Sequence, residues 1–149
     1  MNTNSLDTLC AALCYAAGIE APQQAADANP DLCAYLDKME AAGKCDRIFM
    51  YNPDAIAQWI YEKYPQLFEQ ATAHTEVEVP MVTVMPSVTP VCFGTMYTGA
   101  QPAVHGIQKY EKPVLKIETI FDAFIKAGKK CVIVADTECS IGKIFLERN

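Results

Sequence analysis

The chain has 149 residues, which suits one domain, and 51% of them are hydrophobic, so a sizeable core can form. The net charge is −6, the pI is near 4.8 and the basic residues are scattered, which argues against non-specific nucleic-acid binding. This composition also argues against extensive disorder, and the sequence has no apolar run long enough to span a membrane.

Two helical patterns come first along the chain. Apolar residues recur at helical spacing over 6–17, with Ser5 as the expected N-cap and Gly18 as the expected C-cap. A second helix is expected to begin at Pro30, because Asn29 before it is a good capping residue and proline suits a first helical position.

Beyond residue 45, short apolar runs alternate with helical patterns, which predicts a parallel sheet flanked by helices. The runs of strand length cover 47–51, 79–85 and 131–135. We therefore expect an α/β domain over 46–149, preceded by a helical segment over 1–45. Three strands make a thin sheet with open edges, so we also expect a truncated chain that could self-associate.

The seven cysteines are odd in number and follow no secretory leader, which is typical of reduced thiols in a cytoplasmic protein. Cys10 and Cys14 lie one helical turn apart on an apolar stretch, which favours burial in the core. Zinc-finger ligands come as closely spaced pairs, and a second pair is missing. The cysteines therefore indicate packing, and we expect a cytoplasmic location.

One polar residue follows each apolar run of strand length: Asp54, Thr89 and Asp136. Ligands bind outside the carboxyl ends of strands in open parallel sheets, so we expect these side chains at one edge. Asp136 also suits an ordinary turn or helix cap. Thr89 precedes Pro90 and is the expected N-cap of the next helix, where its hydroxyl could serve only as a cap.

A hydroxyl at that position also lies beside free N–H groups and the positive end of the helix dipole, which can bind a phosphate. Those groups would stabilise the charge that develops on a transferring phosphoryl group. The hydroxyl of Thr89 would need a base or a metal ion to lower its pKa, and the Asp54 carboxylate could bind that metal.

A longer spaced pattern surrounds Thr89, consisting of Pro86-Ser87-Val88-Thr89-Pro90, Thr98-Gly99, Pro102 and His105-Gly106-Ile107. It resembles the nucleophile segment of type I phosphodiesterases and nucleotide pyrophosphatases, members of the alkaline phosphatase superfamily. Their segment reads roughly Pro-Ser/Thr-x-Thr, a helix, then Thr-Gly-x-x-Pro-x-x-His-Gly-Ile. The spacing from Thr89 to His105 matches without a gap. The resemblance spans 47–149, is strongest over 82–107, and implies a partial alkaline-phosphatase-like core.

The resemblance implies that Thr89 attacks phosphorus and forms a covalent phospho-threonine. It also implies that Asp54 and Thr89 bind one of two divalent metal ions, usually zinc, and that Pro90 and Cys92 contact the substrate. An asparagine that helps bind phosphoryl oxygens is common where this chain has Cys92. The family's commoner Asp-Gly is here Asp54-Ala55.

The family completes its metal site with later Asp and His residues, whereas this chain has two histidines, His74 and His105. We expect His74 in a solvated loop and His105 in a structural role, so these residues cannot assemble a two-metal site. The chain alone is therefore expected to be inactive.

These observations favour a metal-dependent hydrolase of phosphate mono- or diesters, or of related phosphonate or sulfate esters, acting on a small phosphorylated substrate. The alternative is a non-catalytic binding or assembly module that retains the superfamily fold. A third reading is a small flavodoxin-like domain whose Thr-Pro turn binds phosphate without chemistry. Coding sequence beyond Asn149 with an Asp-His pair would favour the enzyme.

Overall fold

The computed structural model describes residues 4–146 and 148, so the ends of the predicted segments at residues 1 and 149 lie outside the described residues. Beside the α-helices, the described part contains a 3-10 turn at Pro65–Leu67 and a π-helical turn at Gly142–Leu146. No helix in the described part is both long and apolar enough to cross a membrane. The α-helices of that part are α1 (Thr8–Ala17), α2 (Pro30–Lys38), α3 (Gln58–Lys63), α4 (Glu69–Thr72), α5 (Thr89–Thr98), α6 (Pro102–His105) and α7 (Ile120–Lys126).

The predicted parallel sheet, and with it the α/β fold class, is wrong for this structure. Over residues 4–146 and 148, β pairing is limited to an isolated parallel bridge between Ser5 and Val82. In that bridge Leu6 N–H donates to the Val82 carbonyl at 3.0 Å, and Val82 N–H donates to the Asn4 carbonyl at 2.7 Å. The fold is therefore helical, with the three runs of strand length unpaired with one another.

The runs nevertheless show the alternation of strands. Met50, Val84 and Ile133 lie against the core, whereas Phe49 and Val134 are 88% and 94% exposed. A pattern of period two shows which side chains face the core, but a sheet also needs a neighbouring chain to satisfy its N–H and C=O groups. Within the described residues, such pairing is limited to the single bridge between Ser5 and Val82, so the three runs do not form a sheet.

The core lies between α1, α5 and α7, which pack against one another. Cys10 and Cys14 are buried in it as predicted, and all seven cysteines are free. Tyr97 of α5 contacts Phe121 and Phe145, with ring centroids 5.0 and 5.3 Å apart. Because α1 shares this core with later helices, the early part of the chain supports the helix that carries Thr89. The domain boundary at residue 46 stays a prediction.

Local signals set several helix ends. The Asn29 side chain accepts a hydrogen bond from Leu32 N–H at 3.0 Å, and Gly18 ends α1 in the left-handed conformation at φ 66°. Both features agree with the sequence prediction. Asp7 rather than Ser5 is the N-cap of α1, because Ser5 is engaged in the β-bridge.

Candidate functional site

Thr89 is the first residue of α5, and Val88 is the N-cap. Cys92 N–H donates to the Val88 carbonyl at 3.0 Å, which closes the first turn one residue earlier than predicted. No side chain caps this helix, so the prediction that the Thr89 hydroxyl serves as the cap is wrong. That hydroxyl is available for another partner.

Thr89 and Asp54 lie together. The Thr89 hydroxyl donates a hydrogen bond to Asp54 Oδ1 at 3.2 Å across 35 residues of sequence. Asp54 is exposed and Thr89 is half-buried, so the pair opens to solvent. The predicted contact is therefore present, although the sheet edge that suggested it is not, and the chemical roles of both residues stay predictions.

The turn that carries Asp54 has an unusual backbone. Ala55 has φ 57°, in the left-handed region that glycine adopts most readily, and its N–H donates to Asp54 Oδ1 at 2.9 Å. The same carboxylate oxygen thus accepts from Ala55 and from Thr89. The commoner Asp-Gly of the resembling family would place glycine at this conformation.

A second hydrogen bond ties the turn to α5. Asn52 Nδ2 donates to the Tyr97 hydroxyl at 2.7 Å. Tyr97 is only 5% exposed, and its burial raises the pKa of its phenol. Sequence reasoning missed this link between Asn52 and Tyr97, because neither residue was expected to be part of the site. The amide side chain of Asn52 directly after an apolar run was the signal available.

The start of α5 provides backbone donors. In the described part of the chain, the N–H groups of Thr89 and Val91 have no backbone acceptor, and Pro90 has no N–H to offer. Pro90 and Val91 are buried, which reduces solvent screening behind these donors. A ten-residue helix also adds the positive end of its dipole. The arrangement can bind an anionic group next to the Thr89 hydroxyl.

Cys92 lies one turn beyond Thr89 and is half-buried. Its Sγ is 3.1 Å from the hydroxyl oxygen of Thr83, an exposed residue that sequence reasoning did not single out. A thiol is a weak donor, whereas a hydroxyl is a good one. Thr83 thus places a hydroxyl beside Cys92, the position at which the resembling family commonly has an asparagine.

Asp136 does not join the pair. Its Oδ1 accepts a hydrogen bond from Glu138 N–H at 2.7 Å, which is the ordinary turn that its sequence also suited. Over the residues that the structure describes, it makes no hydrogen bond to Asp54 or Thr89. His74 lies in an exposed turn after α4.

His105 is buried in α6 and packs against α5. Its Nδ1 accepts from Ile107 N–H at 3.2 Å, so the neutral ring carries its proton on Nε2 and donates to the Thr95 hydroxyl at 3.0 Å. Burial lowers the pKa of His105 to about 4. A Cβ at Gly94 would lie 2.7 Å from the ring. Both ring nitrogens are engaged, so His105 links two helices and is not available as a ligand.

The donor set for a metal ion is incomplete. No group of three or more His, Cys, Asp or Glu side chains suited to a metal occurs within residues 4–146 and 148. Asp54 and Thr89 together provide two neighbouring oxygen-bearing groups. Zinc commonly takes four ligands and magnesium six. The described residues therefore fit part of one cation site and not a pair of metal ions.

The segment that contains these features is similar to part of one known family. Residues 51–120 match the family model for type I phosphodiesterase / nucleotide pyrophosphatase, which confirms the resemblance that the sequence predicted. The match includes Asp54, Thr89 and the pattern up to Ile107, and it is shorter than the expected 47–149. The family consists of phosphoester hydrolases. No curated protein and no solved structure was found to match the chain.

Proposed function

We propose that this chain supplies the nucleophile, Thr89, and two ligands of one metal ion, Asp54 and Thr89, in a phosphoester hydrolase site. The observation that carries the proposal is the 3.2 Å hydrogen bond between Thr89 and Asp54 at the start of α5, inside the matched segment. The substrate is a small phosphorylated molecule, either a phosphate mono- or diester or a related phosphonate or sulfate ester.

In the proposed reaction, the Thr89 hydroxyl loses its proton to water and Thr89 Oγ attacks phosphorus, or sulfur in a sulfate ester. The bond between that atom and the leaving-group oxygen breaks, and the leaving oxygen takes up a proton from water. This leaves a phospho-threonine that water later hydrolyses. Asp54 orients the attacking oxygen, since it accepts the hydroxyl hydrogen. The free N–H groups of Thr89 and Val91 would stabilise the phosphoryl oxygens, with Pro90 and Cys92 beside them.

Two divalent cations, zinc in our proposal, complete such a site, and Asp54 and Thr89 would bind one of them. A bound cation supplies a Lewis acid that lowers the pKa of the hydroxyl. The described residues provide only these first ligands. The free cysteines support a reducing, cytoplasmic location. Self-association is supported by four exposed apolar side chains: Phe49, Tyr51, Val132 and Val134.

The second candidate is a non-catalytic binding or assembly module. It is favoured by one observation, the missing third metal ligand over residues 4–146 and 148. Such a module would keep the anion-binding start of α5 and would use the Thr89 hydroxyl, if at all, as a hydrogen-bond donor.

Calorimetric zinc titration and p-nitrophenyl phosphate turnover separate the two candidates. The hydrolase predicts zinc uptake that weakens in both Asp54→Ala and Thr89→Ala, with any turnover lost in the second. Thr75→Ala is the matched control, because Thr75 is exposed and its hydroxyl bonds only to the Ala71 carbonyl at 2.9 Å. If the chain takes up no zinc and Thr89→Ala binds phosphate as the wild-type chain does, the hydrolase is contradicted and the non-catalytic module is favoured.

A further inference from the structure

Two residues outside the spaced family pattern connect the two halves of the site. Asn52 precedes Asp54 by two positions, and Tyr97 follows Thr89 by two turns of the same helix. The hydrogen bond from Asn52 Nδ2 to the Tyr97 hydroxyl, 2.7 Å long, is therefore a second link between the two segments that the bond between Thr89 and Asp54 joins.

The Tyr97 end of this link is rigid. Its ring centroid lies 6.0, 5.0 and 5.3 Å from those of Phe93, Phe121 and Phe145. Aromatic packing on several sides fixes the ring, so the hydroxyl has a defined position at the edge of the core. Asn52 is thus bonded to a fixed point on α5.

The Asp54 end has little other support. Residues 52–56 belong to no helix or strand, and Asp54 is exposed. In the described part of the chain, this turn makes two side-chain hydrogen bonds to the rest of the structure, from Asn52 to Tyr97 and from Thr89 to Asp54. An exposed turn with so few contacts would otherwise sample many conformations.

We propose that Asn52 and Tyr97 are positioning residues that hold Asp54 against Thr89. The catalytic meaning of this inference rests on the proposed function, but the positioning itself can be measured without any ligand. A purely structural hydrogen bond would contribute to stability without affecting how strongly Thr89 and Asp54 interact.

A double-mutant cycle measures that interaction by urea unfolding of the full chain. Thr89→Val and Asp54→Ala, alone and combined, should show a coupling of about fivefold in the unfolding equilibrium constant. The cycle is then repeated in the Tyr97→Phe and Asn52→Ala backgrounds. Tyr97→Phe keeps the packed ring and removes only the hydroxyl, and Asn52→Ala tests the same link from its other end, the half-buried Asn52 side chain.

We expect the coupling to fall below about twofold in both backgrounds. The matched control is Tyr61→Phe, which deletes an exposed hydroxyl bonded to Glu78 at 2.8 Å and should leave the coupling unchanged. Full coupling in Tyr97→Phe and Asn52→Ala would overturn the inference. An equal loss in Tyr61→Phe would overturn it too, since the effect would then follow general destabilisation.

Zinc titration of the same variants separates this inference from the proposed function. If the wild-type chain binds zinc through Asp54 and Thr89, Tyr97→Phe should weaken binding about threefold to tenfold. A wild-type chain that takes up no zinc contradicts the proposed function, and the ligand-free coupling still decides whether Asn52 and Tyr97 position Asp54.

Discussion

The turn that presents Asp54 should become more stable when Ala55 is replaced by glycine. At φ 57°, a side chain with a Cβ costs about 1–2 kcal/mol, which glycine avoids. Glycine also makes the unfolded chain more flexible, which costs about 0.4–1 kcal/mol. The net expectation for Ala55→Gly is a gain of about 0.5–1 kcal/mol, or a rise in Tm of about 2 °C for a chain of this size.

Thermal unfolding followed by circular dichroism measures this shift. Glu40→Gly should also stabilise, because Glu40 has φ 52° far from the site. Ala73→Gly should lower the Tm by about 1–4 °C, because Ala73 is exposed and has ordinary helical angles. If Ala55→Gly lowers the Tm as Ala73→Gly does, the left-handed turn is absent and the position of Asp54 is wrong.

Three further predictions concern the support of α5 and α1. Gly94→Ala should cost about 1–3 kcal/mol of unfolding free energy, because the new Cβ meets the His105 ring at 2.7 Å. Burial lowers the pKa of His105 from 6.5 to about 4, so its contribution is present above pH 6.5 and is lost as the pH falls toward 4. Urea unfolding should show that His105 contributes about 2 kcal/mol less to the unfolding free energy at pH 5 than at neutral pH. His105→Gln should abolish this pH-dependent difference. If stability in His105→Gln depends on pH as it does in the wild-type chain, the prediction is contradicted. Gln101→Ala should cost about 1–3 kcal/mol, because it removes the 2.5 Å donor to buried Asp7, whose other oxygen already lacks a partner within the described residues. Gln58→Ala, which breaks an exposed pair, should change stability by less than about 0.5 kcal/mol in the same assay.

Some helix ends and the family resemblance were predictable because their signals are local, whereas the expected N-caps Ser5 and Thr89 were wrong. Asn29 capped α2 as expected, and Gly99 ended α5 at φ 68°. The contact between Asp54 and Thr89 was predicted from a sheet edge and is reached instead by a turn bonded to α5. The sequence therefore indicated the right partners through the wrong architecture.

The absence of a sheet from the described residues was not predictable from the apolar runs themselves. Alternation in a run such as 131–135 shows which side chains face the core, and Ile133 does pack there. Pairing depends on a second chain segment at hydrogen-bonding distance, which no single run encodes. The roles of Tyr97 and Thr83 were missed for a similar reason, because both depend on tertiary partners, Asn52 and Cys92.

The nucleophile assignment is tested most directly by titrating the zinc-supplemented full chain with orthovanadate and following the vanadium NMR resonance. Vanadate accepts a hydroxyl oxygen as a fifth ligand, as a phosphoryl group does during transfer. The account predicts saturable binding that is lost in Thr89→Val and retained in Thr75→Val. Equal binding by the wild-type chain and Thr89→Val would show that the hydroxyl at the start of α5 does not engage the phosphoryl group.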